Sequence, residues 1–254
     1  MLNKILLVIW FILRPKYYLH FFSLIKRKFL FNHDTFKNSK KAYEWAKENA
    51  IPYADALQKL NINGELVGLD NETIIEGQKL ASKSSVRMGG SGHIHLLYDC
   101  VRLLKVKNVI ETGVAYGWSS LAILKALSLN GFGKLYSVDM PYPRKKNEND
   151  VGIVVPQNLK KNWTLIRKPD NPGIISALNK ANGEVDLCHY DSDKSWWGRH
   201  YAYPILWKSL NSKGLFISDD IQDNLYFSTF VKKNLLNFAI VEFEGKFVGL
   251  IRKD

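Results

Sequence analysis

Residues 109–127, VIETGVAYGWSSLAILKAL, constrain the fold more than any other stretch of this chain. Val109 and Ile110 begin an apolar β-type run that ends in Glu111. Gly113, Ala115 and Gly117 then form a turn, and a helical pattern opens at Trp118-Ser119-Ser120. A strand, glycine turn and helix in that order place unpaired backbone N–H groups of a helix N-terminus against a ligand of nucleotide type. Glycine is needed there because a Cβ would block close approach or forbid a left-handed turn. The spacing is G-x-x-x-G rather than the G-x-G-x-x-G of dinucleotide-binding turns. The next β run, KLYSVDM, ends in Asp139, about twenty residues on, where an acidic side chain meets ribose hydroxyls in such folds.

From Val106 onward, β runs and helical patterns alternate, which predicts a parallel sheet covered on both faces. The expected strands are KNVIET, KLYSVD, WTLIRK, VDLCHYD, GLFISDD, FAIVEFE and KFVGLIR. The last two meet at Glu244-Gly245, a hairpin signal. The expected architecture is therefore α/β: a Rossmann-like, doubly wound, mostly parallel seven-stranded sheet with an antiparallel C-terminal hairpin. Residues 34–105 read as helical, from apolar positions recurring at helical spacing in KKAYEWAKENA, YADALQKL, NETIIEGQKLAS and HIHLLYDCVRLLK. MGGSG (88–92) reads as a flexible turn. The expected units are 1–33, 34–105 and 106–254.

Ligands of open α/β sheets bind beyond the carboxyl ends of the strands. Glu111, Asp139, Asp191, Asp193, Asp219 and Asp220 all fall at or just past such ends. Strands lie about 4.8 Å apart, so Asp191 and Asp219 would share one gap. Carboxylates crowded in this way repel unless one is protonated or a cation lies between them. With no histidine or thiolate cluster nearby, hard oxygen ligands favour Mg²⁺, with Mn²⁺ and Ca²⁺ as alternatives. The expected metal set is Asp191, Asp219 and Asp220, with one strand-end aspartate reserved as a helix cap. Lys194, three residues after Asp191, is the candidate base, provided that a metal cation offsets the neighbouring aspartates. His189 reads as a core histidine. Trp196, Trp197 and Tyr201 read either as core or as a surface on which a sugar could stack.

The chain carries 36 Lys+Arg against 24 Asp+Glu, a formal net charge of +12. Residues 1–33 hold six basic residues and no acidic one, interleaved with ILLVIWFIL and YYLHFFSLI. Arg14-Pro15-Lys16 interrupts the apolar run, leaving each half short of the roughly 20 residues that a membrane span needs. No small-residue cleavage site follows. These features predict a leader lying on an anionic membrane surface, against the simpler alternative of a helix packed on the body. No nucleic-acid reading module is present, and nucleic acid is not expected as a partner. Cys100 and Cys188 read as buried thiols in a reducing compartment, and the expected location is the cytoplasmic face of a membrane. Nothing in the sequence fixes an oligomeric state.

Together these motifs resemble the class I S-adenosylmethionine-dependent methyltransferases, from about Met88 to Asp254. ETGVAYG is similar to their first motif, with Ala115 in place of the middle glycine. HYDSDKSWW and ISDD resemble the H-x-D-G-D-H-S and D-D segments of metal-dependent O-methyltransferases, the sugar and macrolide-sugar enzymes among them. The resemblance implies S-adenosylmethionine as cofactor. It places Gly113, Ala115 and Gly117 against the methionine part and Asp139 at the ribose, with Glu111 organising the turn and Asp170 on the adenine side. It also implies Mg²⁺ at the aspartates and a hydroxyl acceptor, either a small molecule or a glycan or lipid-linked sugar. Lys194 replaces the histidine of the sugar enzymes, as in the catechol type, and Ser192 stands where glycine is usual. A nicotinamide-dependent oxidoreductase and a non-catalytic membrane scaffold are the competing readings.

Overall fold

The computed structural model describes residues 2–254. Its centre is one seven-stranded sheet: β1 (Asn108–Thr112), β2 (Lys134–Val138), β3 (Trp163–Ile166), β4 (Val185–Tyr190), β5 (Leu210–Ser218), β6 (Phe238–Phe243) and β7 (Lys246–Arg252). The spatial order is β3-β2-β1-β4-β5-β7-β6. β1 to β5 are mutually parallel, while β7 runs antiparallel between β5 and β6. The edge strand β6 therefore runs with the other strands, and the reversed strand lies inside the sheet. The β6–β7 hairpin turns on Glu244 (φ 51°) and Gly245 (φ 75°), the two left-handed residues of a tight two-residue turn.

The strands form where apolar residues run without a break, because both faces are buried. Val109, Leu187 and Leu215 enter one core layer, while their successors Ile110, Cys188 and Phe216 enter the other. Fully burying such a side chain contributes roughly 1.5–3 kcal/mol. The first layer lies under α4 (Tyr53–Lys59), α5 (Asn71–Ala81), α6 (Ile94–Leu104) and α7 (Trp118–Asn130). The second lies under α3 (Phe36–Asn49), α8 (Asp170–Lys180), α9 (Trp196–Ser209) and α10 (Tyr226–Lys233). Cys100 and Cys188 are buried free thiols.

Residues 2–27 form two helices, α1 (Leu2–Ile12) and α2 (Tyr18–Arg27), bent by 109° at Arg14-Pro15. Trp10, Phe11 and Tyr17 are buried against Phe21, Leu24 and Met140. Among the described residues no single helix is long and apolar enough to cross a membrane.

Candidate active site

Four neighbouring strands each continue the sheet ladder by one residue past their carboxyl ends, and these residues build the site. Gly113 N–H donates to Val138 O, Asp139 N–H to Ile166 O, Asp191 N–H to Thr112 O and Asp219 N–H to Tyr190 O, at 2.9 to 3.1 Å. Asp139, Gly113, Asp191 and Asp219 thus stand in one row across β2, β1, β4 and β5. Three strand spacings make that row roughly 14 Å long. A cavity of about 540 Å³ opens over it, within the size range of small-molecule and cofactor sites. Gly113, Ala115, Asp139, Asp170, Asp191, Asp193, Lys194, Asp219 and Asp220 all line it.

The glycine turn is as tight as its spacing implies, though for an additional reason. Gly113 has φ +82°, and a Cβ there would lie 2.1 Å from the Asp191 carbonyl oxygen. The close approach is thus to the β4 loop, and it brings Asp191 over the turn. Ala115 adopts φ 50°, the left-handed region where relatives of the motif use glycine. Gly117 (φ +91°) is the residue before α7, and no side chain caps the helix there. Trp118 and Ser119 therefore bring a helix N-terminus to the cavity wall. Gly113→Ala is expected to lower stability by about 3 kcal/mol, from left-handed backbone plus overpacking. A thermal melt should show this as a drop of roughly 6–12 °C; an unchanged melt would mean that the turn and the β4 loop separate freely.

Asp139 lies between the turn and β3. Its Oδ2 accepts Ala115 N–H at 3.1 Å and is 3.9 Å from the Arg167 guanidinium. Burial raises its pKa to about 6, against the opposing pull of Arg167. Asp170, the first residue of α8, accepts Ser192 Oγ–H at 2.6 Å and is likewise raised by burial to about 6. Glu111 lies beneath the site. It is fully buried, and its Oε2 accepts hydrogen bonds from Ser120 and Ser137 at 2.5 and 2.6 Å. It fastens β1 to α7 and β2 and does not line the cavity.

Lys194 sits among the acids. Its ammonium is 3.2 Å from Asp191 Oδ1 and pairs directly with Asp220 Oδ2. Burial opposes its charge, but Asp191 and Asp220 outweigh burial and raise its pKa, so it is held as an ammonium. Burial and Asp219 push Asp191 up to about 6, with Lys194 pulling the other way. Lys246, from β7, is 3.2 Å from Asp220 Oδ1. Asp219 lies 3.5 Å from His189 Nε2, and Glu111 lies 3.7 Å from its Nδ1. Burial opposes charge on His189, yet Asp219 and Glu111 raise its pKa to about 10. His189 is a core histidine, as read from the sequence, and it lies between two carboxylates.

The residues of the expected metal set meet other groups of the chain: Asp191 and Asp220 face the Lys194 ammonium, and Asp219 lies against His189. Among the described residues no group of three or more His, Cys, Asp or Glu side chains is arranged to hold a metal ion. The residues present do not fit a bridging Mg²⁺. Asp193 is the aspartate with a capping role: it accepts Ser195 N–H and Oγ–H, and Ser195 in turn caps α9. The aromatic residues of α9 do not line the cavity. Trp196 stacks with His33 at 3.9 Å and with His200 at 4.9 Å, Trp197 Nε1–H donates to Phe31 O, and Tyr201 OH donates to Asn171 O.

Other lining residues come from segments that the motifs do not reach. MGGSG contributes Gly89, Gly90, Ser91 and Gly92 to one wall, and His93 follows, its ring stacked on Phe243 of the hairpin at 4.6 Å. Burial and His95 lower the His93 pKa to about 4. Its Nδ1 accepts Leu96 N–H, so the imidazole is neutral with its proton on Nε2. Arg199, fully buried in α9, donates to the carbonyls of Asp219 and Asp220 and fixes their turn. An arginine inside the aromatic helix WWGRHYAYPILW is the sequence signal for this role.

A family model described as a methyltransferase domain matches residues 110–221. Solved structures of similar fold include the Bacillus cereus O-methyltransferase in complex with SAH, at 13% identity and TM-score 0.54, covering 82% of this chain and 100% of that one. Another is the O-methyltransferase TomG from Streptomyces achromogenes, involved in tomaymycin synthesis and bound to SAM, at 12% identity and TM-score 0.56, covering 74% and 93%. A third is the SAH-bound Podospora anserina methyltransferase PaMTH1, at 13% identity and TM-score 0.55, covering 85% and 95%. No curated protein matches the chain. Residues 110–221 thus match a methyltransferase domain, and the chain shares its fold with these solved methyltransferases.

Proposed function

We propose that the protein transfers a methyl group to a hydroxyl of a small or glycan-type acceptor, with the acceptor hydroxyl held against the Lys194–Asp191 pair. The observation that carries this reading is the row from Asp139 to Asp219, which puts the Asp139 carboxyl and the Asp191–Lys194 pair on one cavity, two strands apart. In this reading residues 106–254 form the catalytic body, 34–105 cover it, and 1–33 form a leader at the cytoplasmic face of a membrane.

Bound S-adenosylmethionine would supply an activated methyl on a sulfonium, the C–S bond breaking with its electron pair left on sulfur. Asp139 would hold the ribose hydroxyls, and the α7 N-terminus at Trp118 and Ser119 would hold the carboxylate of the methionine part. The row of aspartates favours a positively charged cofactor. Lys194 donates to the acceptor oxygen and stabilises the negative charge that develops there, in place of a divalent ion. Asp191, its pKa near working pH, takes the hydroxyl proton. Alignment of the two reactants contributes the remainder.

The nicotinamide reading loses support from the sheet. Dinucleotide-binding sheets follow the order 3-2-1-4-5-6, whereas here the antiparallel β7 stands between β5 and β6. Calorimetry should therefore show S-adenosylmethionine binding and no heat with NADH. Label from methyl-tritiated cofactor should enter a hydroxylated acceptor fraction with wild-type protein and not with Asp191→Asn. Binding of NADH alone would remove the methyl-transfer reading.

A further inference from the structure

The leader packs on the body along one side only. Among the described residues, twelve of the twenty exposed large apolar side chains lie within the first 36 positions, among them Leu19 (82% exposed), Phe22 (61%) and Phe29 (85%). Lys16, Lys26 and Lys28 are exposed between them, and no acidic residue precedes Asp34. Apolar rings and lysines sharing one surface match the acyl edge and phosphate layer of an anionic bilayer. A second copy of the same leader would instead bring like charges together. α1 has 11 residues and so spans about 16 Å, half the hydrocarbon thickness. With the 109° bend, the pair suits lying in the interface rather than crossing it.

The leader is also tied to the cavity at two points. Its buried cluster of Trp10, Phe11 and Tyr17 packs on Met140, a lining residue. Arg27, at the end of α2, donates to Asp193 Oδ2 at 2.5 Å, and Asp193 lines the cavity beside Lys194.

We propose that residues 5–31 dock the protein on an anionic phospholipid bilayer and hold the cavity wall against it, so that the acceptor is a membrane-borne, hydroxyl-bearing amphiphile. The acceptor part of this proposal rests on the methyl-transfer reading above. The test is co-sedimentation of the full chain with phosphatidylcholine vesicles containing about one-third phosphatidylglycerol, and with phosphatidylcholine alone. Wild type should pellet with the anionic vesicles. Leu19→Glu/Phe22→Glu should bind them roughly tenfold or more weakly while keeping its melting temperature and its calorimetric affinity for S-adenosylmethionine. Wild type left in the supernatant, or equal pelleting of both proteins, would overturn the proposal. So would a wild-type dimer that dissociates in the variant without any vesicle binding, because the surface would then belong to a second copy. Vesicle binding without cofactor binding would leave the docking intact and remove only the methyl-transfer reading.

Discussion

Asp139→Ala should weaken S-adenosylmethionine binding by about two orders of magnitude or more, read by titration calorimetry. Two hydrogen bonds from ribose hydroxyls to a charged acceptor contribute roughly 1.5–3 kcal/mol each, and every 1.4 kcal/mol is about tenfold. The residue also receives Ala115 N–H, so its loss loosens the glycine turn. Asp139→Asn keeps an acceptor for that N–H but not the charge, and it should lie between the wild type and Asp139→Ala. Normal affinity in Asp139→Ala would mean that the ribose lies elsewhere and that the row of strand ends is not the cofactor axis.

The same carboxylate gives the binding a pH dependence of definite sign. With its pKa raised to about 6, Asp139 is an ionised acceptor above pH 7. It takes up a proton as the pH falls through 6, so affinity should decline by up to tenfold per further pH unit. This loss is separable from unfolding. A carboxyl whose pKa is higher folded than unfolded binds protons more readily in the native state, so its contribution to stability grows as the pH drops from 6 towards 4. At pH 5.5 a melt should therefore show folded protein, while calorimetry shows cofactor affinity lowered by up to about fourfold relative to pH 7. In Asp139→Ala this component of the pH profile should disappear.

The sheet was legible because its strands are continuous apolar runs such as VDLCHY, which only a strand buried on both faces accommodates. The strand-end acids were legible for a related reason: a carboxylate directly after such a run stands where the parallel strand leaves the core. Partnerships between strands were not legible. His189 reads as core until β1 is placed beside β4, with Glu111 opposite it, and β5 is placed beside β4 with Asp219 just beyond. Trp196 looked available to a ligand because its partner, His33, is 163 positions away and belongs to the leader. The GGSG wall and the Phe243–Lys246 hairpin carry no chemical motif. The hairpin reaches the cavity because β7 inserts beside β5. The partners of the metal-set residues depend on the same kind of information. Spacing places Lys194 three residues after Asp191, but only the folded loop shows its ammonium on the side of Asp220.

Lys194→Met should reduce methyl transfer by about 10³-fold while changing cofactor affinity only a few-fold. Electrostatic groups aimed at developing charge contribute on the order of 10²–10³ in rate when removed singly. Here the loss includes a second contribution. Without the ammonium, Asp191 loses its nearest cation while Asp219 and Asp220 remain, and like charges drive its pKa further up. Asp191 would then be protonated at working pH and unable to accept the hydroxyl proton. Lys194→Arg retains the charge but replaces a compact ammonium with a planar fork, so it should keep cofactor binding and recover only part of the rate. Metal dependence separates this arrangement from a bridging ion. A chelator should leave wild-type turnover within about twofold, because the carboxylates are already paired by Lys194, Lys246 and His189. Mn²⁺, followed by its paramagnetic resonance signal, should bind Lys194→Met more tightly than wild type, since only the variant exposes a free set of acids. Wild-type activity abolished by chelation and restored by Mg²⁺ would reverse the assignment, making Lys194 a lodger that the ion displaces rather than the cation that does the chemistry.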